Sequence, residues 1–131
     1  MARLVYNLLL LLIAPAVPLY LLWRARRQPE YLQHWNERWG FYPRTSQAPQ
    51  DVRTIWLHAV SVGETRATQP LVKLLRQRWP QARILITHMT PTGRQTSADL
   101  YGDGVVSAYL PYDYPWAMRQ FLRHFRPQLG I

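Results

Sequence analysis

The sequence contains no cysteine. Disulfide frameworks and thiolate metal sites are therefore excluded. The four histidines, His34, His58, His88 and His124, show no metal-binding spacing such as HExxH. Lysine is nearly absent as well. Lys73 stands alone, so the net charge of +9 rests almost wholly on arginine. Acidic residues number 7 against 16 basic ones, and that imbalance calls for an anionic partner: phospholipid, phosphorylated substrate or nucleic acid. Nucleic acid is the weakest of these, because no RNP, helix-turn-helix or zinc pattern occurs. There is no GxGxxG fingerprint and no Gly-Lys-Ser/Thr phosphate loop. No Ser/His/Asp set can be read from the residue order. Glu37 and Glu64 are the carboxylates that suit acid–base work. Aromatics, by contrast, are plentiful: six Trp and eight Tyr in 131 residues suit a core, a membrane interface or an amphiphilic ligand. The length allows one modest domain.

The organising stretch is Thr54–Arg78, TIWLHAVSVGETRATQPLVKLLRQR. Thr54–Val60 is short and apolar and reads as a buried strand. Ser61-Val62-Gly63-Glu64 breaks the run. From Glu64 the spacing becomes helical through Ala67, Leu71, Leu74, Leu75 and Arg78. A strand, a glycine turn and a helix make the first half of a βαβ unit. Such turns lie at the ligand-binding edge of open α/β sheets, where a helix amino end favours anions. Gly63 would allow close approach, and Ser61 and Glu64 offer polar atoms. The same residues also fit a plain capping box, with Ser61 as N-cap and Glu64 three residues on.

The pattern then repeats. Arg83–Thr87 predicts a second strand. His88–Gly93 predicts a polar loop carrying Thr90, Thr92 and Gly93 to the same sheet edge. A helix follows to Tyr101. Val105–Leu110 is a third strand. Asp113 suits an N-cap, with Pro115 just inside a helix that runs to about Phe125. Trp116, Phe121, Leu122 and Phe125 are its candidate core residues, and Gln128–Ile131 begins a fourth strand. The expected class is α/β, a Rossmann-like parallel sheet with flanking helices. His58 falls in the first strand and reads as a core or edge residue rather than a ligand. Because the fourth strand is apolar and incomplete, the chain is expected to be the amino-terminal piece of a longer protein.

Ahead of this domain, Leu4–Trp23 holds no charge and one strongly polar residue, Asn7. At about 1.5 Å per residue it spans roughly 30 Å, one bilayer core. Pro15 and Pro18 would kink it, which leaves open a monotopic insertion instead of a full span. A cleaved signal peptide fits loosely around Ala14-Pro15-Ala16, and a buried core helix would leave the arginines unexplained. Arg24, Arg26 and Arg27 outnumber Arg3, which favours a single N-terminal anchor with the remainder in the cytoplasm. Residues 1–27 form this anchor and its basic flank. Residues 28–51 comprise a short amphipathic helix, Pro29–Gly40, and a polar linker. In that helix Tyr31, Leu32, Trp35 and Trp39 share a face, and Glu37 lies opposite. Spacing alone makes Glu37 a solvated residue. Residues 52–131 form the sheet domain.

Four motifs, ERWGFY at 37–42, HAVSVGET at 58–65, TPTG at 90–93 and LPYDYP at 110–115, resemble the 3-deoxy-D-manno-octulosonic acid (Kdo) transferases of Gram-negative bacteria. The resemblance covers essentially the whole chain. It implies the N-terminal half of a B-type glycosyltransferase, with a second, CMP-sugar-holding domain absent from these 131 residues. It implies inverting, metal-independent and cofactor-free transfer of Kdo from CMP-Kdo to the lipid A precursor, lipid IVA, at the cytoplasmic face of the bacterial inner membrane. Glu37 would be the general base. Arg38, Ser61, Gly63, Glu64, Thr90, Thr92 and Gly93 would bind substrate, and the arginines would meet acceptor phosphates and anionic phospholipid. This portion alone should not turn over. Two other readings stay open: a B-type glycosyltransferase with another lipid acceptor, and a non-catalytic anchored module that binds anionic lipid.

Overall fold

The computed structural model describes residues 2–131. Four parallel strands, β1 (Thr54–His58), β2 (Arg83–His88), β3 (Val106–Tyr109) and β4 (Pro127–Gly130), form one sheet in the order β3-β2-β1-β4. Thr54 pairs with Arg83 and, on the other side, with Pro127; Leu85 pairs with Val106. The α/β class and all four strands agree with the sequence reading.

Alternation along the strands explains why both faces are covered. Ile55, Leu57, Ile84 and Ile86 enter one buried cluster with Val72 and Leu75. The latter two come from α4 (Gln69–Arg78). Leu85 and Trp56, at the intervening positions, face a second cluster with Ala108, Phe121 and Phe125. Phe121 and Phe125 come from α6 (Pro115–Phe125). A period of two thus separates two helix layers.

Local departures from the sequence reading have local causes. The helix expected from Glu64 to Arg78 is two helices, α3 (Val62–Ala67) and α4, broken at Thr68. Pro70 has no N–H to give the carbonyl of Arg66, so the ladder is interrupted there. The buried stripe is Thr65, Val72 and Leu75, with Thr68 half-buried, while Ala67, Leu74 and Arg78 are exposed. On α6, Ala117, Phe121 and Phe125 are buried and Trp116 and Leu122 are not. The N-cap of α6 is Tyr114, without a side-chain bond. Asp113 instead accepts a hydrogen bond from the Tyr6 hydroxyl, at 2.7 Å. The stretch 41–48 that composition reads as a linker is packed on α6. Tyr42 sits among Phe121, His124 and Phe125, and the Ala48 N–H bonds the His124 carbonyl.

The amino-terminal apolar run forms α1 (Ala2–Ile13) and α2 (Ala16–Ala25). No single helix among the described residues is long and apolar enough to cross a membrane. The two helices meet that measure only together, as a pair bent by 49°. Pro15 and Pro18 remove two N–H donors at the junction, so one continuous membrane helix does not form. The pair rests on the sheet domain through Tyr6–Asp113 and through the Tyr114 hydroxyl, which bonds the Leu10 carbonyl at 2.8 Å.

Candidate functional site

Residues 29–40 do not form the expected amphipathic helix. They make two 3-10 turns, Pro29–Leu32 and Trp35–Trp39, separated by His34 in the left-handed region at φ 54°. Gly40, at φ 83°, ends the second turn with another left-handed residue, which glycine adopts without strain. The reversal at His34 changes which side chains point inward. Tyr31 is buried, Leu32 and Trp35 are exposed, and Glu37 and Arg38 are only 4% and 3% exposed. Glu37 is therefore a buried carboxylate and not a solvated one.

A buried charge needs partners. Oε2 of Glu37 accepts hydrogen bonds from Nη1 of Arg94 and from the Tyr109 backbone N–H at 2.8 Å. Oε1 accepts one from Nη2 of Arg94 at 3.2 Å. This is a bidentate fork, the strongest geometry for a carboxylate. Arg94 lies in the first turns of α5 (Pro91–Tyr101), and its guanidinium also covers the Tyr109 ring. Oε1 keeps one lone-pair site. It faces Nδ1 of His34, 3.5 Å away.

Arg38 is held differently. Its Nη2 donates to the Met89 carbonyl at 3.1 Å, and its guanidinium lies 4.2 Å from the Tyr109 ring centre. Its backbone carbonyl takes the Tyr112 N–H. Among the described residues Arg38 meets no carboxylate. It ties the ends of β2 and β3 to the Glu37 turn, and burial leaves it no path to a substrate in this conformation.

Beyond the partners of Glu37 opens a cavity of about 520 Å³, lined among others by Arg27, Gln33, His34, Thr92, Arg94 and Tyr109; Glu37 itself lies behind His34, Arg94 and Tyr109. The lining carries two arginines against one carboxylate, Glu30, with several neutral polar groups, a balance that suits an anionic, hydroxyl-rich ligand. Thr92 is the one expected substrate-binding residue that reaches this cavity.

The other expected residues gather beside it, where β1 and β2 end. The Thr90 hydroxyl donates to the Val60 carbonyl at 3.2 Å and accepts from the Gly93 N–H at 3.1 Å, so it caps α5. The 90–93 stretch is thus a cap and first helical turn and not a loop. A Cβ on Gly93 would lie 3.0 Å from Oγ1 of Thr90 and 3.3 Å from the Val60 carbonyl oxygen, so glycine lets the two turns touch. The expected capping box is shifted. Ser61 makes no side-chain cap, and Glu64 accepts from the Val60 N–H at 2.7 Å. Nothing lies within 4 Å of a Cβ built on Gly63, so that turn has open space over it. His58 is exposed, with Nδ1 2.9 Å from the Thr87 hydroxyl. His88 is fully buried below the turns, with Nδ1 3.0 Å from the Ala59 carbonyl oxygen. Burial is the main reason its pKa is pushed down to about 4, so it is neutral at pH 7. No group of three His, Cys, Asp or Glu side chains that could hold a metal occurs among the described residues.

Arg94, Tyr109 and His34 were not legible as site residues. For Arg94 a signal existed. A cation in the opening turns of a helix opposes the dipole and calls for a carboxylate nearby.

Residues 33–131 match the family described as 3-Deoxy-D-manno-octulosonic-acid transferase (kdotransferase). The chain is 37% identical over 131 residues to 3-deoxy-D-manno-octulosonic acid transferase of Haemophilus influenzae, covering 100% of this chain and 30% of that protein. It is 39% identical over 137 residues to the Bordetella pertussis protein of the same name, covering 100% and 31%. The Chlamydia muridarum protein of that name is 30% identical over 103 residues, covering 78% and 24%. The chain thus spans about 30% of the length of the first two relatives. No solved structure matches it significantly.

Proposed function

Because the chain belongs to the 3-deoxy-D-manno-octulosonic-acid transferase family, we propose that it forms the acceptor-side, Rossmann-like part of a B-type glycosyltransferase. The reaction is inverting, metal-independent transfer of Kdo from CMP-Kdo to a lipid A precursor, with CMP-Kdo held mainly by sequence outside these 131 residues. The single observation behind this reading is Glu37, a buried carboxylate held by Arg94 and Tyr109 and covered on Oε1 by His34, all three of which line the cavity.

In the proposed step the acceptor hydroxyl takes the place of His34 against Oε1 of Glu37. The hydroxyl oxygen bonds the anomeric carbon of Kdo as the bond from that carbon to the CMP phosphate oxygen breaks. CMP leaves with the electron pair, and the proton passes to Glu37. Arg94 positions the carboxylate, and Arg27 and Arg94 attract acceptor phosphates or the Kdo carboxylate. Thr92 lines the same cavity. Ser61, Gly63, Glu64, Thr90 and Gly93 shape the neighbouring sheet edge. The α1–α2 pair and Arg24, Arg26 and Arg27 are proposed to hold the protein on the anionic cytoplasmic face of the inner membrane.

The test is Glu37→Gln in the full-length protein, with CMP-Kdo and lipid acceptor. Glutamine keeps an acceptor for the Tyr109 N–H but takes up no proton at neutral pH. Turnover should fall roughly 10²–10⁴-fold, with little change in KM. The change also removes the charge opposite Arg94, so both proteins are assayed well below their unfolding transitions. Glu64→Gln is the control, costing about 1 kcal/mol or less of stability and leaving most of the activity. Wild-type turnover in Glu37→Gln would remove Glu37 from the chemistry.

A further inference from the structure

The outer face of α6 carries Trp116, Arg119, the adjacent Leu122 and Arg123 and, just past its end, Arg126, all exposed and within one face at helical spacing. Its opposite face is buried through Ala117, Phe121 and Phe125. Trp116 and Leu122 are 39% and 46% exposed, and the neighbouring Phe41 is 56% exposed. A soluble helix would put small or mixed-charge residues there. This one has large apolar groups and three arginines, and none of the three makes an ion pair with a carboxylate among the described residues.

The patch is not isolated. Phe41 packs on Trp116 at a ring separation of 6.0 Å, Trp116 stacks on Trp39 at 6.5 Å, and Trp39 stacks on Tyr114 at 5.8 Å. Tyr114 then bonds the backbone of α1 at Leu10. A continuous path of aromatic contacts therefore joins the α6 face to the exposed aliphatic helix pair.

We infer that the outer face of α6, with Phe41, is a second membrane-contact surface that lies in the headgroup layer of an anionic phospholipid bilayer. The charge selects the partner: arginines without nearby carboxylates match acidic lipid headgroups. The shape selects it as well. The face is a convex stripe that offers Trp and Leu for shallow insertion and Arg for headgroups, the pattern of an in-plane amphipathic helix. This surface is separate from the Glu37 site and does not depend on the catalytic reading.

The absence of cysteine makes a site-specific test direct. The whole 131-residue chain carries one new cysteine, Leu122→Cys, Leu12→Cys or Asp99→Cys, labelled with a polarity-sensitive fluorophore. Vesicles of phosphatidylcholine with phosphatidylglycerol contain a lipid-borne quencher. The labels at 122 and 12 should be quenched and the label at 99, on exposed α5, should not. Quenching at 12 alone would overturn the proposal while leaving the role of α1–α2 intact. The double change Arg119→Ala and Arg123→Ala should weaken binding to the anionic vesicles roughly thirty-fold and leave binding to pure phosphatidylcholine unchanged. Equal binding of the double variant and the parent to anionic vesicles would show that the arginines do not face lipid, and the proposal would fall. A blue shift of the 122 label's emission with an added acidic polypeptide, and none with anionic vesicles, would point to a protein partner and overturn it too.

Discussion

His88 is fully buried where β2 ends, with its Nδ1 against the Ala59 carbonyl oxygen and Nε2 without a partner. Loss of water is the largest cause of its lowered pKa, about 4, and the charges of Arg94 and His58 act in the same direction. In the unfolded chain the group titrates near 6.5. Between those values the unfolded state takes up a proton that the folded state refuses, so stability falls as pH drops from about 6.5 to about 4. The loss can reach roughly 3 kcal/mol. The urea midpoint of the parent should therefore fall through this window more steeply than that of His88→Gln. Identical slopes would show that His88 is not desolvated as described. His124 is lowered for the same main reason, so a residual slope of the same sign should remain in the variant. The burial of His88 was not legible in the sequence, because strand spacing does not distinguish a polar end residue that faces a loop from one beneath it.

At the scale of elements, the Trp35–Trp39 turn decides the site. Its inward aim follows from two left-handed residues, His34 and Gly40. Gly40 was readable as a stop, but His34 was not. Histidine takes positive φ more often than most residues but still only rarely, and the apolar spacing across 31–39 imitates a helix. That one reversal moved Glu37 from the expected solvated face into contact with Arg94 and Tyr109. The resemblance to known motifs pointed to Glu37 where periodicity pointed away from it. A Cβ on Gly40 would lie 2.8 Å from the Ala117 carbonyl oxygen and 3.0 Å from its Cα, so the turn packs directly on α6 backbone. Gly40→Ala should lower stability by about 3 kcal/mol, from the left-handed conformation plus overpacking. Thermal unfolding measures it, and a loss below about 1 kcal/mol would mean that the turn adjusts easily. The strands, by contrast, were all legible, since β-branched and aliphatic runs between turn residues leave few alternatives. The helix break at Thr68 had a written cause in Pro70, which the apolar spacing masked.

At the scale of the molecule, α1 and most of α2 add nothing to either sheet cluster. Deleting residues 1–23 should leave the sheet domain folded and abolish most binding to neutral vesicles in a sedimentation assay, with residual binding to anionic ones through the α6 face. Full retention on neutral vesicles would deny the helix pair its role. The strand order has a further consequence, in time and not in space. β1 is interior to the sheet, and its partner β4 begins roughly seventy residues later, where Thr54 meets Pro127. At roughly 5–20 residues per second, the ribosome delivers that partner about 4 to 14 s after β1. Throughout that interval one edge of β1 is open, and an open apolar strand edge invites pairing with other chains. Helices α1 and α2, proposed above to hold lipid, are made before any strand and are already free during the same seconds. A bilayer that takes them first holds each nascent chain by its beginning, out of reach of its neighbours, until β4 arrives to close the edge.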